Sequence, residues 1–206
     1  MSHTVALVDY GAGNLKSVEN ALFAAGAEQV LVTSDPDVVA GAGRVLLPGV
    51  GAFGACMGSL AAIDGMVDAL NDAVLKQGKP FLGICVGMQL MADRGEEMGS
   101  HQGLGWIEGV VKLIEPTDPV IKIPHMGWND VIPAVAHPLI VPGEAYFLHS
   151  FAVTGVAPGH VLATTEHGAP LIAAIGRDNM IGAQFHPEKS QAYGLAFLKR
   201  FLEWQP

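Results

Sequence analysis

Basic residues and cysteines are scarce in this chain of 206 residues. Lysine and arginine number 11 against 20 aspartate and glutamate, a formal charge of −9, and a surface of that sign repels phosphate backbones and anionic membranes. Nucleic acid and membrane are therefore excluded as expected partners; a small molecule or another protein takes their place. The two cysteines, Cys56 and Cys85, match neither a disulfide framework nor a CxxC motif, which fits a reducing, cytoplasmic location. Long apolar runs are missing too. The longest early uncharged stretch, Val45 to Ile63, is interrupted by Pro48 and four glycines, so it reads as strand, loop and helix start and not as a membrane span. Met1 to Asp9 carries no basic segment ahead of a long apolar one, and no signal peptide is expected. The eight histidines include no HExxH pair, and none stands beside a second cysteine, so no metal and no other cofactor is expected.

What the chain does have is apolar mass and glycine. Hydrophobic residues make up 50% and charged ones only 15%, enough burial to offset the ordering of the backbone, and at this length the expectation is one α/β domain over residues 1–206. The 26 glycines exceed an average usage of roughly 7% and fall in turns. Val5 to Val8 form a short apolar run, the pattern of a strand buried on both faces. Leu15, Val18, Leu22 and Ala25 recur at helical spacing, with Gly26 placed to end that helix. Val30 to Val32, Val45 to Leu47 and Pro80 to Ile84 repeat the strand pattern, the last after a helical stretch from about Gly58 to Lys76. This alternation predicts a flavodoxin-like, open, mostly parallel sheet with helices on both faces. Beyond Gly99, prolines at 116, 119, 124, 133, 138, 142 and 158 cut the chain into short pieces and predict an antiparallel β extension in the C-terminal half. Met180 to Phe185 reads as a further buried strand, and Leu195, Leu198, Phe201 and Leu202 as a closing amphipathic helix.

The sharpest local signal is Gly83-Ile84-Cys85-Val86-Gly87 at a strand-to-helix junction, the pattern of a nucleophile elbow. Glycines on either side permit a turn too tight for a Cβ, so the reactive atom stands out above the sheet. A free thiol, with a pKa near ~8.5, needs activation, which the following helix's N-terminus and a nearby histidine could supply. Packing alone, the other reading of Cys85, gives no reason for the two glycines. The second signal is His186-Pro187-Glu188 after the apolar strand. In extended geometry residues i and i+2 point the same way, so Glu188 could orient the imidazole and stabilise its cation, as the third member of a triad does. A satisfied strand-end histidine is the bland alternative, and the elbow cysteine weighs against it.

Together these residues resemble the triad glutamine amidotransferases, class I, with Cys85, His186 and Glu188 in place. Within that family, Asp9 to Leu15, Pro48-Gly49-Val50-Gly51 and Pro124 to Asn129 look like the glutaminase subunits of imidazole glycerol phosphate synthase, from histidine biosynthesis. The resemblance implies that Cys85 attacks the side-chain amide of glutamine and that His186 protonates the departing ammonia. It implies an oxyanion hole from the N–H of Val86 and a second donor at Val50, whose glycine neighbours make reorientation of a peptide sterically cheap. Gly51, Gln89, Glu97, Ser150 and Phe151 align with glutamine-contacting positions, Phe151 standing where many relatives have tyrosine. A (β/α)8-barrel cyclase subunit is implied as partner, receiving ammonia to make imidazole glycerol phosphate and an aminoimidazole carboxamide ribonucleotide in a heterodimer, with Asn14, Trp128, Tyr146 and Lys189 at or near the contact. For Trp128 a core position, and for Lys189 a solvated helix start, stand as the alternatives.

Rival readings remain at this level. The glutaminase of another amidotransferase pathway, or a stand-alone cysteine hydrolase, would share the elbow. Gly11-Ala12-Gly13 with Asp35 invites a dinucleotide site, but Lys16 stands where the third glycine is required. Cys56, without a basic neighbour, reads as structural.

Overall fold

The computed structural model describes residues 4–118 and 120–206; residues 1–3, part of the segment read for a signal peptide, and Pro119, one of the chain-breaking prolines, lie outside them. The first half alternates strand with helix, a broken helical pair preceding the fourth strand. β1 (Thr4–Val8), α1 (Leu15–Ala24), β2 (Gln29–Thr33), α2 (Pro36–Gly41), β3 (Arg44–Gly49), α3 (Phe53–Ala61), α4 (Met66–Asn71) and β4 (Phe81–Cys85) follow one another, and α5 (Val86–Gln89) adds a single turn. The second half is mainly β: β5 (Arg94–Gly95), β6 (His101–Gln102), β7 (Val110–Leu113), β8 (His125–Pro133), β9 (Gly143–His149), β10 (Phe151–Thr154), β11 (Val161–Glu166), β12 (Pro170–Arg177) and β13 (Met180–Ala183), closed by α6 (Gln191–Glu203).

Nine strands form one sheet in the order β2-β1-β3-β4-β13-β12-β11-β8-β9, and β10-β7-β5-β6 form a second, smaller one. β2 through β13 pair in parallel, and β12, β11, β8 and β9 continue antiparallel. The expected mostly parallel sheet with an antiparallel extension is what the chain builds. β1, β3, β4 and β13 are buried almost throughout, as strands covered on both faces must be, whereas edge strand β2 buries only Val30. The order reverses between β1 and β3. α1 packs against α6, and α4 packs against both α2 and α3; the right-handed rule for parallel crossovers assigns these two groups to opposite faces.

Two elements depart from expectation. The helix expected from Gly58 to Lys76 is broken: α3 stops at Ala61, Gly65 adopts φ +77, and the chain resumes at 97° as α4 and a π turn over Asp72–Lys76. An apolar stripe at helical spacing survives such a corner, so periodicity alone did not reveal it. The strand expected over Met180 to Phe185 ends at Ala183; the Gln184 N–H still bonds the Ala173 carbonyl of β12, and the His186 N–H turns instead to the Tyr146 carbonyl of β9. Among the described residues no single helix is long and apolar enough to cross a membrane.

Candidate active site

The carboxyl ends of the parallel strands converge on one spot. β3 and β4 run in register with Pro48 opposite Ile84 and Gly49 opposite Cys85, so the loop after β3 starts beside the cysteine. Cys85 itself adopts φ +54, ψ −112, a sparsely populated conformation that a side chain occupies only when its surroundings hold it there. Its flanking glycines are explained by contact. A Cβ on Gly83 would lie 2.5 Å from the Gly87 carbonyl oxygen, and one on Gly87 only 1.9 Å from that of Leu47. The helix after the elbow is shorter than the sequence pattern implied. With one turn in α5 its field is weak, and the histidine remains as the main activator.

That histidine comes from the far end of the chain. His186 Nδ1 lies 2.9 Å from Glu188 Oε1, both side chains almost fully buried, and Cys85 lines the same cavity as His186, near enough to shift its titration. The expected pairing of His186 with Glu188 is present, but a 3-10 turn over Pro187–Lys189 makes it, not an extended strand. Two bonds pin this turn to β9: the His186 N–H donates to the Tyr146 carbonyl (2.8 Å), and Ser190 Oγ donates to the His186 carbonyl while accepting the Tyr146 N–H. Burial alone would lower the His186 pKa. Hydrogen bonds and charge from Cys85 and Glu188 outweigh it and raise the group from 6.5 to about 9, so the imidazolium persists through neutral pH. Its contribution to stability is present below about pH 6.5 and lost as the pH climbs through about 9.

The Pro48–Gly51 loop is clamped on both sides of one peptide. Tyr10 Oη donates to the Pro48 carbonyl at 2.7 Å, and Cys56 Sγ to the Val50 carbonyl at 3.3 Å. Cys56 thus does more than fill the core. The Gly49–Val50 peptide between these clamps carries the N–H of Val50, a residue 44% exposed. Gly49 tolerates no Cβ, which would meet the Gly87 nitrogen and Tyr10 Oη at 2.7 Å each, and Gly51 needs its φ of +105.

Cys85, Val50, Val86 and His186 line one open cavity of about 330 Å³, together with Gly51, Gln89, Glu97, Ser150 and Phe151. One Glu97 oxygen is already engaged, since Oε2 accepts the Phe53 N–H at 2.8 Å. Pro124, Leu148, His149 and Lys189 complete the lining; Pro124 opens the Pro124 to Asn129 motif, whereas Leu148 was not singled out by any. Asp35, the supposed ribose ligand, instead caps α2 through the Asp37 N–H, and a Cβ on Gly13 would press on Pro48. Among the described residues no group of three or more His, Cys, Asp or Glu side chains could hold a metal ion.

Behind the cavity lies an unforeseen histidine cluster. His149 Nδ1 is 2.9 Å from the Phe151 carbonyl, His125 Nδ1 is 3.0 Å from His149 Nε2, Asn129 Nδ2 is 3.0 Å from His125 Nε2, and His167 stacks on His125. This order works only with both buried rings neutral. Burial and the neighbouring imidazoles pull His125 from 6.5 down to about 3; burial, outweighing a supporting bond from Phe151, holds His149 down to about 4. The unfolded chain therefore binds protons that the fold refuses, and stability must be lost as pH falls from about 6.5 toward about 4. A thermal-melt series over that range should show Tm dropping with acid, and dropping less steeply in His125→Gln; equal slopes would refute the assignment.

Of the four residues expected near a partner, Lys189 lines this cavity. Trp128 and Tyr146 are opposite each other on β8 and β9 with ring centroids 6.2 Å apart, and Lys189 Nζ sits 5.8 Å from the centre of the Tyr146 ring. Trp128 is 47% exposed and so is not a core aromatic; Lys189 is not a simply solvated helix start. Asn14 occupies the N-cap position of α1, whose body packs against the Pro187–Lys189 turn.

Comparison with known proteins gives the following. A family model described as Glutamine amidotransferase class-I matches residues 6–204. The chain is similar to the protein called imidazole glycerol phosphate synthase subunit HisH from Zymomonas mobilis, at 62% identity covering 100% of this chain and 98% of the relative. It is also similar to the protein of that name from Rhodospirillum rubrum, at 53% identity covering 98% and 99%. Among solved structures it resembles a crystal structure of a glutamine amidotransferase (TM-score 0.74, 18% identity, 96% and 97% covered) and that of PurLQS from Thermotoga maritima (0.71, 19%, 98% and 97%). At such identities the structural likeness speaks to fold alone.

Proposed function

This chain belongs to the class-I glutamine amidotransferase family, and from that premise we propose that it is the glutaminase subunit of an imidazole glycerol phosphate synthase, working in the cytoplasm as one domain over residues 1–206. The carrying observation is the convergence of Cys85 and of His186, itself held by Glu188, on one cavity large enough for an amino acid. Thiolate attack on the glutamine carboxamide carbon forms a C–S bond and places negative charge on oxygen, toward which the Val86 N–H is directed at the elbow. His186 gives its proton to the amide nitrogen, the C–N bond breaks, and ammonia departs. Neutral His186 then takes a proton from water as the water attacks the thioester, and glutamate leaves as the thiolate returns. The clamps on the Pro48 and Val50 carbonyls support the reading that the Gly49–Val50 peptide turns its N–H inward to complete the oxyanion hole. Glu97 suits the substrate's α-ammonium, with Gly51, Gln89, Ser150 and Phe151 around it.

Ammonia loose in neutral water is mostly ammonium and no longer nucleophilic, so release is useful only into a second active site. The 62% identity to a protein named as a synthase subunit supports a (β/α)8-barrel cyclase as that second site, docked over Asn14, Trp128, Tyr146 and Lys189. Glutamate release should be measured from the chain alone, with the cyclase, and with the cyclase plus its own substrate. Little activity alone and stimulation of at least about tenfold in the last case are expected, within the usual reach of site-to-site coupling. Full activity without any partner would favour the stand-alone hydrolase.

A further inference from the structure

The nucleophilic sulfur has a neighbour that the mechanism above does not use. Gln184, fully buried just beyond the end of β13, directs Nε2 at Cys85 Sγ from 3.6 Å. A buried carboxamide is satisfied only when each end meets its complement, and here the surroundings dictate which end faces the sulfur. Gln89 Nε2 donates twice, to the Phe151 carbonyl and to Gln184 Oε1, each at 3.0 Å. Gln184 must therefore present its oxygen to Gln89, which leaves its two hydrogens on the sulfur side.

The Phe151 carbonyl is itself fixed. It accepts from His149 as well as from Gln89, and His149 is backed in turn by His125 and Asn129. A rotation of Gln184 by half a turn would break this chain at its first link and put an oxygen lone pair against a thiolate. Other titratable groups surround the sulfur. His186, with Glu188 behind it, lies on one side, Tyr10 follows β1 and Cys56 lies in α3, while Glu97, His149 and Lys189 share the cavity with Cys85; of these, His186 and Lys189 bring positive charge.

We propose that Gln184 is a catalytic residue, donating through Nε2 the hydrogen bond that stabilises the Cys85 thiolate both when sulfur attacks the amide and when it leaves the thioester. His186 changes protonation during each half of the reaction. The carboxamide does not, so it supplies a constant donor while the imidazole's proton is in transit. This rests on the glutaminase reading for its meaning but not for its test.

Alkylation of Cys85 by iodoacetamide, followed across pH by mapping the adduct to its peptide, reports the thiolate without any glutamine. Q184M and Q184L both lack the donor. Each should move the alkylation midpoint up by about one pH unit, the size expected for a hydrogen bond to a charged group, and lower kcat about tenfold with KM changed by less than about twofold. Equal shifts in the two variants, whatever their melting temperatures, mark a donor; shifts that track lost stability mark packing and overturn the proposal, as does an unmoved midpoint in either folded variant. In the native protein, the side-chain amide protons of Gln184 should follow ionisation of the thiol by NMR, and resonances that stay still would overturn it even if neither variant folds. Native protein that alkylates as expected yet consumes no glutamine with its partner would instead defeat the glutaminase reading and leave this one standing.

Discussion

Cys85→Ala should abolish glutamate release, a loss approaching the ~10⁶-fold seen when a nucleophile is deleted from a triad. The fold should survive it. Alanine keeps the Cβ, so the left-handed conformation at φ +54 is neither more nor less strained than before, and only one sulfur is removed from a cavity already open to solvent. The informative half of the experiment is what remains. If the chain feeds ammonia to a cyclase, the assembled enzyme carrying Cys85→Ala should still make product when an ammonium salt is supplied at alkaline pH, because free ammonia bypasses the thioester. Activity with ammonia but none with glutamine locates the defect at this sulfur. Residual glutamine hydrolysis in the variant would remove Cys85 as nucleophile, and with it the triad.

The site was legible wherever a short stretch of chain carries both halves of a constraint. Gly83 and Gly87 flank Cys85 within five residues; a Cβ on the first would clash with the backbone of Gly87 and Met88 in the same turn, and one on the second with the Leu47 backbone that the β3–β4 register brings alongside. Tight turns write themselves into local sequence. His186 and Glu188 are two apart and could be paired on paper, although the turn that joins them is 3-10 and not extended. What was illegible is contact across distance. Tyr10 reaches Pro48 over 38 positions and Gln184 reaches Cys85 over 99, and neither residue type announces itself, since a buried tyrosine or glutamine has no periodicity of its own. The histidine cluster was missed for the same reason: His125 and His149 meet because β8 and β9 pair in a register that sets them opposite, and His167 joins them from the end of β11, which pairs with β8. Gly65 shows the reverse failure, a local residue whose corner was hidden because the apolar pattern ran through it.

The second large effect is structural and follows from the tightest contact in the elbow. In Gly87→Ala the new Cβ would fall 1.9 Å from the Leu47 carbonyl oxygen and 2.8 Å from its carbon. Both atoms are backbone of β3, held between β1 and β4, so no side chain can swing aside. Either α5 is pushed off the sheet or β3 bends, and both movements pull Val86 and Cys85 away from the loop that begins at Gly49. Overpacking of this kind costs about 3 kcal/mol at the upper end of its usual range, which in a domain of this size lowers Tm by roughly 6–12 °C. Below that temperature, glutamine hydrolysis should still be reduced about a hundredfold, the usual consequence of displacing reacting groups by about 1 Å. Gly58→Ala is the matched control. Gly58 lies within α3 with open space where its Cβ would go and an ordinary φ, so alanine there should raise stability by about 0.5–1 kcal/mol through helix propensity and a less flexible unfolded chain. Calorimetry on the two variants should move Tm in opposite directions. A Gly87→Ala protein that melts and turns over like the native one would mean that the elbow is looser than the 1.9 Å contact requires, and that the strained cysteine is held by something other than the sheet beneath it.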